Sequence, residues 1–207
     1  MKLSQRLLTI ASFIKEGAVV ADIGADHGLL SMYLVENKIA KKVFAVENKP
    51  GPFSILENNT KKYPEITISF SDGINEIPAD VDTVVIAGMG GILISNILLK
   101  NKDKLDHVKF IVIDAHRDLD VVRKTLQDLG YEFEKETLVL GAVFYNVISV
   151  RRGQSKLQSL ELEFGFNIKQ DPLFEEYRNH LLKQYERNYQ MNNSVELKEK
   201  IERLKQL

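Results

Sequence analysis

The chain has 207 residues, enough for one full domain and a modest appendage. Hydrophobic residues make up 44% of it, which argues against disorder, and the lack of cysteine excludes a disulfide framework and thiolate metal sites while fitting a reducing cytoplasm. Its 28 basic and 29 acidic residues leave a net charge of −1, whereas a dedicated nucleic-acid binder would be basic overall.

The N-terminus, MKLSQRLLTIASFIKEG, begins with a charge and a short apolar stretch, as a signal peptide does. Leu3, Leu7, Ile10 and Ile14 nevertheless fall at helical spacing, and Lys15-Glu16 follow without a small-residue cleavage pattern. The segment reads as an amphipathic helix packed on the domain. No apolar run approaches the ~18–20 residues that span a bilayer, so no membrane role is expected.

From Val19 to Val150, short β-branched runs alternate with longer helical stretches. The runs are VVADI, VFAVE, ITISF, TVVIA, FIVID and FYNVISV. The first five are nearly continuous apolar segments, as expected of strands buried on both faces. Between them lie stretches of helical length such as GPFSILENNTKKY and GILISNILLK. This alternation predicts an α/β fold, a mostly parallel sheet with helices on both sides. Three basic clusters, Lys38/Lys41/Lys42, Lys100/Lys102/Lys104 and Arg151/Arg152, read first as solvated surface.

After Arg151-Arg152-Gly153 the character changes. Asp171 is placed to cap a helix whose first position is Pro172. Phe174, Tyr177, Leu181, Tyr185 and Tyr189 then mark one face of a helix about 30 Å long. Met191-Asn192-Asn193-Ser194 breaks it, with Ser194 a second N-cap, and Leu197, Ile201 and Leu204 continue to the end. The division expected is a Rossmann-like domain over 1–153 and an antiparallel helical hairpin over 154–207. The hairpin segment carries nine basic and nine acidic residues. Among them Arg178, Lys183 and Arg187 are expected to share one side of the helix and to meet phosphates.

In open α/β sheets, ligands bind outside the carboxyl ends of the strands at the topological switch point, so the residues following each strand carry the chemistry. After the first strand comes DIGADHGLL. Gly24 allows a tight turn, Gly28 lets the next helix pack close, and that helix offers backbone N–H groups to an anion. After the second comes Glu47, 23 positions beyond Gly24, where an acidic side chain can grip ribose hydroxyls. Asp72-Gly73 after the third strand offers an acceptor to an adenine amino group. Ala87-Gly88-Met89-Gly90-Gly91 after the fourth is a bare floor that admits a planar group.

A dinucleotide loop needs room for two phosphates, hence G-x-G-x-x-G. This chain has G-A-D-H-G, and Asp26 would repel a pyrophosphate. S-adenosylmethionine instead carries an ammonium, a carboxylate and a sulfonium. Asp26 can meet the positive charge, while backbone N–H groups and His27 can meet the carboxylate; His27 equally suits a structural hydrogen bond within the turn.

The motifs DIGADHGLL, AVENKPGPF, SDG, AGMGG and FYNVISV resemble the bacterial tRNA (adenine-22, N1)-methyltransferase family. The resemblance covers nearly the whole chain, including the tail beyond Phe164-Gly165. It implies a seven-stranded class I methyltransferase fold, a coiled-coil-like extension that helps hold tRNA, and methylation of adenine 22 in the D-arm region. The sequence departs from the family at Asp114-Ala115-His116, where a Q-P-N-like turn is usual, and at Phe164-Gly165-Phe166, where F-G-P is usual. Strand ends and motifs together give a candidate cofactor site of Asp22, Gly24, Asp26, His27 and Gly28, then Glu47 and Asn48, Asp72 and Gly73, and Ala87, Gly88 and Met89. Asp26 is also the candidate catalytic carboxylate, and Met89 or Tyr145 could support the base or simply fill the core. The expectation is a cytoplasmic, metal-independent, monomeric enzyme acting on tRNA. An NAD-dependent oxidoreductase and a non-catalytic S-adenosylmethionine- or RNA-binding module are the alternatives.

Overall fold

The expected runs of β-branched residues pair into one sheet in the computed structural model, which describes residues 3–154 and 156–207; Lys2, the charge that opens the chain, and Ser155 lie outside them. The strands are β1 (Ala18–Ile23), β2 (Ala40–Glu47), β3 (Ile66–Phe70), β4 (Thr83–Met89), β5 (Phe110–Ala115), β6 (Tyr131–Leu140) and β7 (Phe144–Arg152). Their order across the sheet is β3-β2-β1-β4-β5-β7-β6. The first five are parallel, and β7 runs antiparallel to both its neighbours. The seven-stranded, mostly parallel fold expected of the chain is therefore present.

Five helices cover the sheet: α1 (Gln5–Ser12), α2 (Leu29–Glu36), α3 (Pro50–Thr60), α4 (Gly91–Lys100) and α5 (Leu119–Asp128). Because side chains alternate along a strand, consecutive residues serve opposite faces. Val20, Val43, Val85 and Val112 pack with Ile10, Leu34 and Leu56 of α1, α2 and α3. Their neighbours Ala21, Val84, Ile86 and Ile111 pack with Ile94 and Leu98 of α4 and Val122 and Leu126 of α5. Two covered faces explain why these strands read as unbroken apolar runs.

Strand β6 was not among the expected runs. Its sequence, YEFEKETLVL, alternates charged with apolar residues, burying Tyr131 and Phe133 but not Glu132 or Glu134. That pattern suits its place at the sheet edge, with one face wetter than the other.

The tail contains α6 (Ser159–Phe164), α7 (Phe174–Asn192) and α8 (Val195–Lys205). Asn193 turns the chain with φ 49°, and Ser194 Oγ caps α8 by accepting from Leu197 N. The hairpin is antiparallel, with Lys205 reaching back to Glu186 and Leu207 packing near Tyr177. The start of α7 differs from expectation. Asp171 does not cap it, because its carboxylate accepts from Thr137 Oγ1 at 2.6 Å, Leu138 N at 2.9 Å and Leu173 N at 2.8 Å. It ties the tail to β6, and the helix begins at Phe174. Arg178 also differs: at about 100° per residue it lies nearly opposite Arg187. It lies over the Phe174 ring and bonds Glu175, whereas Lys183 and Arg187 are exposed. Each of the three other basic clusters also has a paired member, Lys42 with Asp80, Lys100 with Asp72 and Arg151 with Glu132.

A buried ion pair fastens the tail to the sheet. Arg123 of α5 donates Nε and Nη2 to Glu136 of β6 at 3.1 and 2.6 Å, and Nη1 to the Leu162 and Glu163 carbonyls of α6. Glu136 also accepts from Asn146 Nδ2 and Phe166 N. The cluster joins α5, β6, β7 and α6 with each charge matched. Removing one partner would strand the other charge, so Arg123→Met is expected to cost about 3–5 kcal/mol of unfolding free energy. The double variant with Glu136→Gln should cost less. Urea denaturation decides: a loss under about 1 kcal/mol in the single variant would show the pair to be incidental.

Candidate active site

The sheet order reverses between β1 and β4, since the chain leaves β1 towards β2 on one side and returns to β4 on the other. Strands diverging this way leave a crevice at their carboxyl ends. A cleft of about 460 Å³ lies there, lined from the loops after β1, β2, β3 and β4. It brings together Asp22, Gly24, Asp26 and His27, then Glu47 and Asn48, Asp72 and Gly73, and Ala87, Gly88 and Met89. Gly28 does not line it. Gly28 precedes α2 with φ 74°, and a Cβ there would sit 2.7 Å from Leu56 Cδ1, so its role is to let α3 approach.

Glu47 organises the floor. Its carboxylate is buried and accepts from Asp26 N at 3.0 Å, Asn48 N at 3.0 Å and Lys49 N at 2.9 Å. This bridges the loops after β1 and β2. Asp26 takes φ 52°, and its side chain is mostly exposed, with Oδ1 3.6 Å from His27 Nε2. The loop is held from outside by Asn59 Nδ2, which donates to the His27 carbonyl. Asp72 accepts from Asn75 and stands 3.5 Å from Lys100. The cleft wall is thus acidic along Asp22, Asp26, Glu47 and Asp72, while the free N–H groups opening α2 suit an anion. A zwitterion with hydroxyl groups matches that division.

Among the cleft residues that escaped the sequence reading are Arg6 and His116. Arg6 comes from the sheet-facing side of α1, one turn before the buried Ile10, and His116 directly follows β5, where the departure of Asp114-Ala115-His116 from the family pattern was the available signal. Arg6 Nη1 pairs with Asp114 Oδ2 at 2.5 Å. Tyr145 packs against both, edge to the His116 ring and beneath the Arg6 guanidinium. Among the described residues no group of three or more His, Cys, Asp or Glu could hold a metal ion, and no helix is long and apolar enough to cross a membrane.

Asp22, at the end of β1, accepts from Ser31 Oγ at 2.6 Å. Burial pushes its carboxyl up to about 6; the Ser31 hydroxyl pulls the other way, and the neighbouring Glu47 charge adds to the rise. The folded protein therefore holds this proton more tightly than the unfolded chain does. The stability it adds is present below the usual value of 3.8 and is lost as pH rises through about 6. Ionised Asp22 should cost roughly 3 kcal/mol at neutral pH. The unfolding free energy of Asp22→Asn, minus that of the parent, should rise by about that amount between pH 4 and 7. A flat difference would mean the carboxyl is not perturbed.

Residues 3–148 match the family model described as a methyltransferase domain. The tRNA (adenine(22)-N(1))-methyltransferase of Bacillus subtilis is 36% identical over 143 residues, which is 67% of this chain; the chain spans 60% of that relative's length. The crystal structure of the B. subtilis M1A22 tRNA methyltransferase TrmK superposes with a TM-score of 0.90 at 28% identity, covering 99% of this chain and 98% of that one. M. capricolum TrmK, solved with the cofactor product S-adenosyl-homocysteine, superposes with a TM-score of 0.87 at 25% identity, covering 100% and 97%. Sequence match and whole-length superposition agree: the chain belongs to the methyltransferase-domain family and, within it, to the bacterial tRNA (adenine-22, N1)-methyltransferases.

Proposed function

We propose that the protein transfers a methyl group from S-adenosylmethionine to N1 of adenine 22 in tRNA. The observation that carries this reading is the whole-length superposition on a relative solved with S-adenosyl-homocysteine, combined with a cleft whose groups suit that cofactor. Gly24 lets the Met89 side chain lie against the floor of the cleft, since a Cβ there would lie 2.3 Å from Met89 Cε. Glu47 uses three acceptor positions on backbone N–H groups, and a carboxylate has about four, so one remains for a ribose hydroxyl. Asp26 meets the ammonium, the opening of α2 meets the carboxylate, and Asp72 meets the adenine amine.

When bound, the cofactor supplies an electrophilic methyl group: its C–S bond breaks with the electron pair left on sulfur as the N1–C bond forms, and the positive charge passes to the adenine. The protein's share is to hold N1 in line and to stabilise that charge. N1 is normally engaged in base pairing, so the nucleotide must leave its stack. Leu29 and Leu93, exposed apolar side chains at the cleft, offer a surface to the released base. We read residues 1–153 as the catalytic part and 154–207 as a tRNA-holding extension, in a cytoplasmic, monomeric protein.

Incubation with unmodified tRNA and the cofactor should yield 1-methyladenosine, mapped to position 22 by nuclease digestion and mass spectrometry. Methylation of another atom, or of small molecules alone, would refute the reading.

The extension is tested by point substitution, because cutting after Gly153 would strip the α6 carbonyls from Arg123. Lys183 and Arg187 are the exposed pair that share a side of α7. The double variant Lys183→Ala/Arg187→Ala should weaken tRNA binding and lower the log–log salt slope by about one unit per lost phosphate contact. Cofactor affinity should not change. Equal slopes for variant and parent would take these residues off the RNA.

A further inference from the structure

Beyond Gly88 and Met89, on the side of the cleft away from Glu47 and Asp72, stands a group that the cofactor does not require. His116 is fixed by its backbone, whose N–H donates to the Met89 carbonyl at 3.0 Å. Its ring packs edge-on against Tyr145, with centroids 5.6 Å apart, and about half of the side chain remains open to the cleft. Beneath it Asp114 is fully buried. One carboxylate oxygen, Oδ2, takes Arg6 Nη1 at 2.5 Å and lies 3.9 Å from His116 Nε2. The other, Oδ1, has no hydrogen-bond partner.

A buried carboxylate with an unfilled oxygen calls for a donor. His116 Nε2 faces this carboxylate from the side of Oδ2, the oxygen that Arg6 already holds, and a ring movement would bring its N–H onto the carboxylate; hydrogen bonds of this kind are often long before substrate binds. The carboxylate favours the tautomer with its proton on Nε2, which leaves the Nδ1 lone pair free. An acceptor at this place is what the reaction needs. As N1 gains its methyl group, positive charge spreads to the exocyclic amine of the adenine, and its N–H becomes a stronger donor.

We propose that His116 receives the acceptor base at this end of the cleft: Nδ1 accepts the exocyclic N–H of the adenine as charge develops, and Asp114 is the positioning residue that holds Nε2–H. The inference rests on the methyl-transfer reading above and adds a residue to it. The amine proton stays on its nitrogen throughout, so the step needs no other reactant.

The test uses the full chain, unmodified tRNA and S-adenosylmethionine. His116→Phe keeps a ring against Tyr145 but has no acceptor. Its kcat should fall by about 10- to 100-fold, the scale of a lost hydrogen bond to a charged group, with KM for tRNA and calorimetric cofactor affinity near those of the parent. His116→Asn sets an amide oxygen close to the Nδ1 position and should recover most of the rate. If the phenylalanine variant fails to bind cofactor, His116→Gln replaces it; its amide reaches the Nε2 position instead, and the same loss is expected. An active parent with an unchanged kcat in His116→Phe overturns this role alone. So does an equal loss in the Phe and Asn variants, which would mark His116 as a structural turn residue. A parent inactive on tRNA overturns the function and this role together.

Discussion

The buried carboxylate of Glu47 is the constraint on which the cleft depends. An ionised carboxylate at the end of a central strand needs donors, and here all three come from main chain: Asp26 on one loop, Asn48 and Lys49 on the other. Charge-assisted bonds to backbone N–H groups are stronger than neutral ones and cannot be relocated by a rotamer change. The consequence is a fixed spacing between the loops after β1 and β2. Asp26 pays for it with a left-handed backbone, which an aspartate tolerates better than most residues. The side chain that results stands out into the cleft instead of folding onto its own loop.

Much of this architecture was legible in the sequence, and the reason is physical. Strands buried on both faces must be apolar throughout, so β1, β2, β4 and β5 announce themselves; β3 does not fit the expected double burial, because it lies at the sheet edge with only Ile66 buried. The switch-point rule then says where to look for a site. Eleven of the twelve candidate cofactor residues line the cleft. Gly28 is the exception, because a glycine required for helix packing and a glycine required for ligand approach look identical in a sequence. Strand β6 was hidden by its charged residues, which suit an edge. Arg6 was hidden because it reaches the cleft from a helix 108 positions away from its partner Asp114. The false start of α7 has the same character. An aspartate before a proline satisfies the local rule for capping, but Asp171 is claimed by β6.

The tail shows how tertiary contacts blur a boundary that composition draws sharply. The change in character after Gly153 is real, yet α6 supplies two carbonyls to Arg123, and the turn after it supplies Phe166 N to Glu136. A buried guanidinium has five N–H donors to satisfy, and the sheet alone does not provide enough acceptors. The base of the extension is thereby part of the core, while the outer turns of α7 and α8 carry the exposed charge. The mixed signs there explain why net charge says little about an RNA partner: only Lys183 and Arg187 of the expected basic trio face solvent freely, since Arg178 is engaged with Glu175.

The electrostatics of the acceptor end follow from the same kind of matching. A reaction that leaves positive charge on a base is opposed by any bare cation nearby, yet Arg6 lines this cleft. Its charge is held against that of Asp114, a carboxylate with no exposed surface, so the pair presents little net field to the base. With the cation neutralised, the acidic residues along β1, β2 and β3 set the sign of the cleft. That sign favours a sulfonium in the ground state and a methylated adenine afterwards, so the charge can cross the cleft without leaving a favourable field. The imidazole at position 116 then adds what a field cannot, a directed acceptor at one edge of the base.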